Sequence, residues 1–212
     1  MIIELKARIM KTYYFKHNAT LLGIVCLFLI TACGCAKESL QDQLPPITQT
    51  GANTFGCIVD GKIFIPRDSY SSTPGNNFFK GLKLLIGNNF LNTSGDDIWV
   101  LSAGNFKIDP NIYIYIYIPS LINANNSFMI NTSDGYKDSS LPHTHIYCQI
   151  DGSNNTYLSS ESSGFIKFSR LDTTSGIYSG TFNVKLKNKD NENDTIEITD
   201  GRFDINLNTL NN

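Results

Sequence analysis

The most regular pattern in the chain is an alternation of isoleucine and tyrosine in Asn111–Ile118. Isoleucine occupies every second position from Ile112 to Ile118, and tyrosine occupies the positions between them. A period of two in β-branched and aromatic residues is typical of a β-strand, whose successive side chains point to opposite faces. Pro119 ends the run, because proline has no amide hydrogen to give to a neighbouring strand. The pattern therefore predicts a strand with an isoleucine face and a tyrosine face.

Shorter runs of the same kind follow one another from residue 54 to the C terminus. Asp60-Gly61 favours a tight hairpin, and Asp200-Gly201 indicates a bulge or kink. The runs predict strands at Thr54–Val59, Lys62–Ile65, Phe79–Gly87, Asp97–Ala103, Ser127–Asn131, His143–Ile150, Gly164–Leu171, Gly176–Lys187, Thr195–Thr199 and Arg202–Leu207, with a brief pairing at Tyr157–Ser160. About ten short strands joined by turns predict an all-β, antiparallel β-sandwich, with a small β-barrel as the alternative.

The N-terminal region shows a different pattern. Four basic residues precede an apolar run, Ala19–Cys33, which is too short to span a bilayer comfortably and has no stop-transfer pattern after it. These features are typical of a secretory signal peptide, whether the chain starts at Met1 or at Met10. The end of the run, Ile30-Thr31-Ala32-Cys33, resembles the lipobox of bacterial lipoproteins. The resemblance implies cleavage before Cys33 and attachment of diacylglycerol to its thiol, with acyl chains such as palmitate.

Three segments follow from these patterns. Residues 1–32 are predicted to be the lipoprotein signal peptide, and residues 54–212 the all-β globular domain. Residues 33–53 are polar, contain Pro45-Pro46 and show no periodicity, so they predict a lipidated, flexible tether. Since more than one acyl chain is needed for stable anchoring, and lipoprotein maturation supplies several, we expect Cys33 to hold the protein on a membrane lipid layer without spanning it.

The charge of the mature chain argues against a nucleic-acid partner. Residues 1–32 contain four of the 17 basic residues and one of the 19 acidic residues, which leaves 13 basic and 18 acidic residues and a net charge of −5. A nucleic-acid-binding protein needs a basic face. Of the five cysteines, Cys57 and Cys148 lie in predicted strands, on faces that they share with apolar residues. They are either two buried free thiols or a disulfide, which an oxidising compartment permits.

Three segments of the domain resemble a family of small, uncharacterised lipoproteins of Bacteroidota. They are NTFGCIVDGKIF near its start and LDTTSGIYSGTFNVKL and DTIEITDGRFDI at its end. The family is known chiefly as a domain of unknown function. The resemblance therefore implies an envelope setting and a β-sandwich-like fold, and it transfers no catalytic residue.

Several residues are candidates for binding. His143 and His145 share a strand face, a spacing that suits zinc or copper, but the mature chain has no third histidine, and two solvent-facing histidines are the simpler interpretation. Tyr113, Tyr115 and Tyr117 are a candidate exposed platform for a sugar or a protein, with packing beneath a loop or against the side chains of the next strand as the favoured alternative.

Short polar motifs offer further candidates. Asp172-Thr173-Thr174 and Asp194-Thr195-Ile196 resemble the acceptor motif for O-glycosylation of exported proteins in Bacteroidota, which makes Thr173 and Thr195 candidate sites. The loops Ser94–Asp97, Asp151–Asn155 and Asp190–Asp194 are rich in Asp and Asn. They match no calcium-loop spacing, and turn formation explains their composition.

The sequence carries no recognisable catalytic signature. It has no G-x-S-x-G, no H-E-x-x-H, no phosphate-binding glycine loop and no paired-cysteine motif. We therefore expect a non-enzymatic lipoprotein of the bacterial outer membrane, on its periplasmic or cell-surface face, with a β-sandwich that binds or scaffolds. Its expected partner is a glycan or another envelope protein, and we expect no cofactor. The alternative is a polysaccharide hydrolase whose pair of carboxylates is not visible in sequence.

Overall fold

The part of the chain that the structure describes is built almost entirely from antiparallel strands. The computed structural model describes residues 39–69, 79–87, 98–121, 126–137, 141–152 and 155–210. The strands are β1 (Thr54–Val59), β2 (Lys62–Phe64), β3 (Leu82–Ile86), β4 (Trp99–Asn105), β5 (Ile112–Ile118), β6 (Ser127–Ile130), β7 (His145–Ile150), β8 (Asn155–Asp172), β9 (Ile177–Asn188) and β10 (Thr195–Asn206). A short helix, α1 (Leu207–Leu210), follows them. The all-β prediction is confirmed.

All ten strands belong to one curled sheet that forms a half-barrel. Its order is β2-β1-β10-β9-β8-β7-β5-β4-β3, and β6 pairs with β8 off this path. The small barrel that was the alternative prediction is also consistent with this sheet. No helix among the described residues is long and apolar enough to cross a membrane.

Two local predictions are confirmed by the strand register. Asp60 and Gly61 both have positive φ, at 47° and 74°, as a tight two-residue hairpin turn requires between β1 and β2. In β10 the pairing with β9 shifts register between Ile198 and Gly201, which is the bulge that Asp200-Gly201 predicted.

The structure differs from the sequence prediction in β8. The sequence predicted a brief pairing at Tyr157–Ser160 and a separate strand at Gly164–Leu171, whereas β8 is continuous through both. The pairing with β9 shifts register between Ser159 and Gly164, where Ser162 has a φ of 52°. The serine run therefore forms a bulge, which bends the strand without ending it.

The core fills the concave side of the half-barrel. The isoleucine face of β5 points into it, and Ile114, Ile116 and Ile118 are fully buried. Trp99 on β4 contacts rings from the opposite wall, with centroid distances of 5.4 Å to Phe168 and 5.6 Å to Phe203. The burial of these large side chains supplies most of the driving force for the curled sheet.

The two ends of the sheet meet through the chain that follows β2. The Arg67 amide donates to the Gly104 carbonyl at 2.9 Å, and the Phe106 amide donates to the Arg67 carbonyl at 3.1 Å. Leu207 and Leu210 of α1 pack against the core beside them. These contacts bring the loops around β3 and β4 together and so shape the surface described below.

The N-terminal arm, residues 39–53, lies along the sheet. The folded unit begins at Ser39, whereas the sequence predicted a flexible tether as far as residue 53. Leu44 of the arm is buried, and Arg170 donates to the Gln49 carbonyl at 2.7 Å. The arm shows no hydrophobic period because hydrogen bonds to its backbone, rather than an apolar stripe, hold it in place.

Asp204 on β10 is the main attachment point of the arm. Asp204 is 1% exposed, and its carboxylate accepts hydrogen bonds from the side chains of Thr48, Thr50 and Ser179 and from the amides of residues 50–52. Burial by itself raises the pKa of Asp204, but the hydrogen bonds outweigh burial and hold the pKa well below its ordinary value. The carboxylate is therefore charged and fully engaged at neutral pH.

Candidate functional site

The outer face of β4, β5 and β7 carries the tyrosine stripe and is divided into a covered zone and an open zone. In the covered zone Tyr115 and Tyr117 are only 3% and 2% exposed. The Tyr115 hydroxyl donates to the Lys137 carbonyl at 2.6 Å, so residues 131–137 lie across this zone. Tyr115 and Tyr117 therefore do not form the exposed platform that was one interpretation of the stripe. They pack beneath a loop, which was the favoured alternative.

His145 is buried in the covered zone. Its ring stacks on Tyr117 at a centroid distance of 4.8 Å, and its Nε2 has no hydrogen-bond partner among the described residues. Burial lowers the pKa of His145 to about 4. The hydrogen bond with the His143 carbonyl and the negative charge of Asp134 raise the pKa, but by less than burial lowers it. The imidazole is therefore neutral at physiological pH.

The two histidines do not form a metal centre with the residues that the structure describes. The His143 and His145 rings are 6.4 Å apart and nearly perpendicular, and His143 Nε2 is engaged with the Thr132 carbonyl at 2.8 Å. No group of three potential ligands occurs in the described segments. Asp138, an acid that lies close to these histidines in the sequence, is outside the described segments.

The buried imidazole predicts a pH dependence of stability. The unfolded chain binds a proton at a pKa near 6.5 and the folded chain only at about 4, so stability should fall by about 3 kcal/mol as the pH drops from 6.5 to 4. Urea unfolding between pH 7.5 and 4 measures this loss. His145→Phe, which keeps a ring against Tyr117, should flatten the profile in that window. His143→Phe is the matched control and should retain the slope, and a flat wild-type profile would contradict the prediction.

The open zone contains a groove of about 350 Å³, which we call the lysine–aromatic groove. It is lined by Phe79, Lys80, Lys83, Ser102, Phe106, Asn111, Tyr113, Lys137, Gln149 and Gly152. Of the tyrosine stripe only Tyr113 reaches it. The groove thus combines aromatic rings, amide and hydroxyl groups and three lysines, and none of its described lining residues is acidic.

The strand register explains the floor of the groove. Lys83 on β3 pairs with Ser102 on β4, and Tyr113 on β5 pairs with Gln149 on β7, so these outward side chains lie on one face. Lys137 places its Nζ 4.7 Å from the centre of the Tyr113 ring, a cation–π distance. Burial raises the pKa of Tyr113, and a hydrogen bond with Ser102 opposes this in part, so its hydroxyl is neutral at physiological pH.

Two phenylalanines from neighbouring loops form the apolar wall. Phe79 and Phe106 have ring centroids 5.6 Å apart, and Phe79 is 61% exposed. The contacts between residues 67 and 106 that join the sheet ends also bring these loops together. A pair of aromatic rings that is partly open to solvent and lies beside polar groups is the usual composition of a binding site for an amphipathic ligand.

A second, shallower depression of about 390 Å³ lies on the outer face of β9 and β10 and contains two acids. Glu197 pairs with Lys185 at 3.6 Å, and Asp200 accepts a hydrogen bond from the Gln41 side chain. Both carboxylates have partners within the protein. This depression therefore gives no support to the hydrolase alternative.

The two cysteines lie in the core as free thiols rather than as a disulfide. Cys57 and Cys148 are both fully buried in the same hydrophobic cluster. Burial raises the pKa of Cys57 well above its ordinary value and that of Cys148 to about 12. Since the thiolate is the reactive form, neither is a nucleophile at neutral pH.

The remaining candidates have ordinary surroundings or lie outside the described residues. Thr173 is exposed in the turn between β8 and β9, and Thr195 is half-buried at the start of β10. Asp194 accepts hydrogen bonds from Tyr157 and Asn188, and these bonds stabilise the loop between β9 and β10. Cys33, the loop at residues 94–97 and part of the loop at 151–155 are not among the described residues.

No protein-family model matches the chain, and neither a curated protein nor a solved structure shows significant similarity to it. Sequence reasoning had anticipated one groove residue, Tyr113. It had missed Phe79, Phe106 and the lysines, which are separated by up to 58 positions and show no local pattern.

Proposed function

We propose that this protein is a lipid-anchored, non-catalytic binding protein of the bacterial outer membrane, and that its ligand is a glycan bound in the lysine–aromatic groove. The observation that carries the proposal is the groove itself, in which exposed Phe79 and half-buried Phe106 form a ring pair beside amide, hydroxyl and ammonium groups. Sugars present apolar C–H faces and hydroxyl edges, which these groups complement. A volume of about 350 Å³ suits a few sugar units rather than a protein surface.

The lipid anchor is the second part of the proposal. It is supported by the lipobox-like end of the apolar run at Cys33 and by the resemblance of three segments to lipoproteins of Bacteroidota. Because the folded unit begins at Ser39, only residues 34–38 separate it from Cys33. The six Cα–Cα steps from Cys33 to Ser39 span about 20 Å when the chain is fully extended, so the anchor would hold the domain close to the lipid headgroups.

Glycan binding is tested by removing the exposed ring. The mature protein, screened on a glycan array, should bind at least one glycan, and Phe79→Ala should weaken that binding about fivefold to tenfold because a ring–sugar contact is lost. Phe165→Ala is the matched control, since Phe165 is also partly exposed, at 41%, but lies on the outer face of β8. Binding to no glycan, or equal losses in both variants, would contradict the proposal.

A further inference from the structure

We infer that the glycan taken by the lysine–aromatic groove is acidic, carrying carboxylate or sulfate groups that meet Lys80, Lys83 and Lys137. This inference rests on the proposed glycan binding and goes beyond it by naming the charge of the ligand. The sequence alone pointed the other way for the chain as a whole, because the mature protein has a net charge of −5.

The concentration of charge in the groove is the first argument. Three of the 13 basic residues of the mature chain line a space of about 350 Å³, and no acidic side chain is among the lining residues that the structure describes. Lys83 and Lys137 take no part in the ion pairs seen among the described residues, Arg170–Asp172 and Lys185–Glu197. Ammonium groups held near one another repel, and a bound anion relieves that repulsion.

The position of Lys137 is the second argument. Its Nζ lies over the Tyr113 ring at 4.7 Å, so the ring face fixes the ammonium within the groove. Lys83 is exposed and stands on the adjacent strand pair, beside Ser102. An acidic group entering between them would gain charge-assisted hydrogen bonds.

The apolar and amide groups of the groove distinguish a glycan-binding site from a site for a simple anion. Phe79 and Phe106 provide a wall for the C–H face of a sugar ring, while Asn111 and Gln149 offer both donors and acceptors to hydroxyl groups. A free inorganic anion would use only the lysines. An acidic saccharide uses both sets of groups.

Matched pairs of oligosaccharides test the inference by titration of the mature protein. An oligogalacturonate and its methyl ester differ in the carboxylate charge and in one small methyl group per esterified unit, and a sulfated galactan oligosaccharide and the unsulfated form differ only in sulfate. We expect at least one acidic member to bind, and its neutral counterpart to bind at least tenfold more weakly. Raising the salt concentration should weaken the acidic ligand selectively.

Substitutions locate the binding. Lys83→Gln and Lys137→Gln should each weaken the acidic ligand about threefold to tenfold, whereas Lys167→Gln, on the outer face of β8, is the matched control and should not. Equal binding of charged and neutral partners would overturn the inference while leaving glycan binding intact. An equal loss of binding in Lys167→Gln would overturn the inference by showing non-specific attraction. Polyglutamate is titrated as an acidic peptide, and stronger binding of it than of any oligosaccharide would overturn the inference in favour of a peptide site. The absence of binding to any acidic oligosaccharide would also overturn the inference.

Discussion

Replacing Asp204 by alanine should lower the free energy of unfolding by about 3–5 kcal/mol. The substitution removes the shared acceptor of hydrogen bonds from Thr48, Thr50 and Ser179 and from the arm backbone. Hydrogen bonds to a buried charge are worth more than neutral ones, and the donors left behind lose their partner in a site that is 1% exposed. Urea unfolding at pH 7 measures the loss. Asp190→Ala, in the loop after β9, is the control and should leave the midpoint nearly unchanged.

The same carboxylate should make the protein sensitive to acid. The pKa of Asp204 is lowered in the folded state, so as the pH falls the unfolded chain takes up the proton first. The stabilisation is therefore complete above about pH 4 and is lost as the pH falls below that value. This window lies below that of His145, so the two effects separate. Asp204→Asn, which keeps an acceptor oxygen without the charge, should remove the extra loss below pH 4, and a steep acid limb in that variant would contradict the assignment.

Replacing Cys33 by serine should release the protein from the membrane. The thiol is the acceptor of the lipid in the proposed maturation, and serine cannot be modified in its place. In cells given a labelled fatty acid, the wild type should carry the label and sediment with membranes. The variant should lose the label and the membrane association that depends on the lipid.

The neighbouring cysteine provides the control for that experiment. Cys35→Ser removes a thiol from the same segment and should leave labelling and sedimentation unchanged. Labelling that persists in Cys33→Ser and disappears in Cys35→Ser would move the anchor to Cys35. Sedimentation of an unlabelled Cys33→Ser protein would show that something other than lipid holds it.

The lipid anchor and the lysine–aromatic groove are two independent parts of the proposed function. The proposed anchor at Cys33 concerns the place where the domain is held. The groove lies on the outer face of β3, β4, β5 and β7, and the proposal for it concerns the ligand that the domain binds. Each can fail without the other, since Phe79→Ala leaves lipidation untouched and Cys33→Ser leaves the groove untouched.

The sequence by itself determined the all-β class, the position of most strands, the Asp60-Gly61 hairpin and the bulge at Asp200-Gly201. These features depend on period-two patterns and on backbone conformations that neighbouring residues specify, so a short stretch of sequence contains the necessary information. The lipid anchor prediction is local in the same sense, because it rests on adjacent residues ending at Cys33.

Only the tertiary structure decided which tyrosine of the stripe lines the groove and which contacts hold the N-terminal arm. Tyr113, Tyr115 and Tyr117 have the same local pattern, but Tyr115 and Tyr117 are buried beneath the loop at residues 131–137, whereas Tyr113 lines the groove with Lys137 over its ring. Asp204 meets its arm partners across more than 150 residues. The lysines and phenylalanines of the groove converge because of strand register and the joining of the sheet ends. Contacts between distant segments leave no periodic trace in a sequence, and the candidate site is made of such contacts.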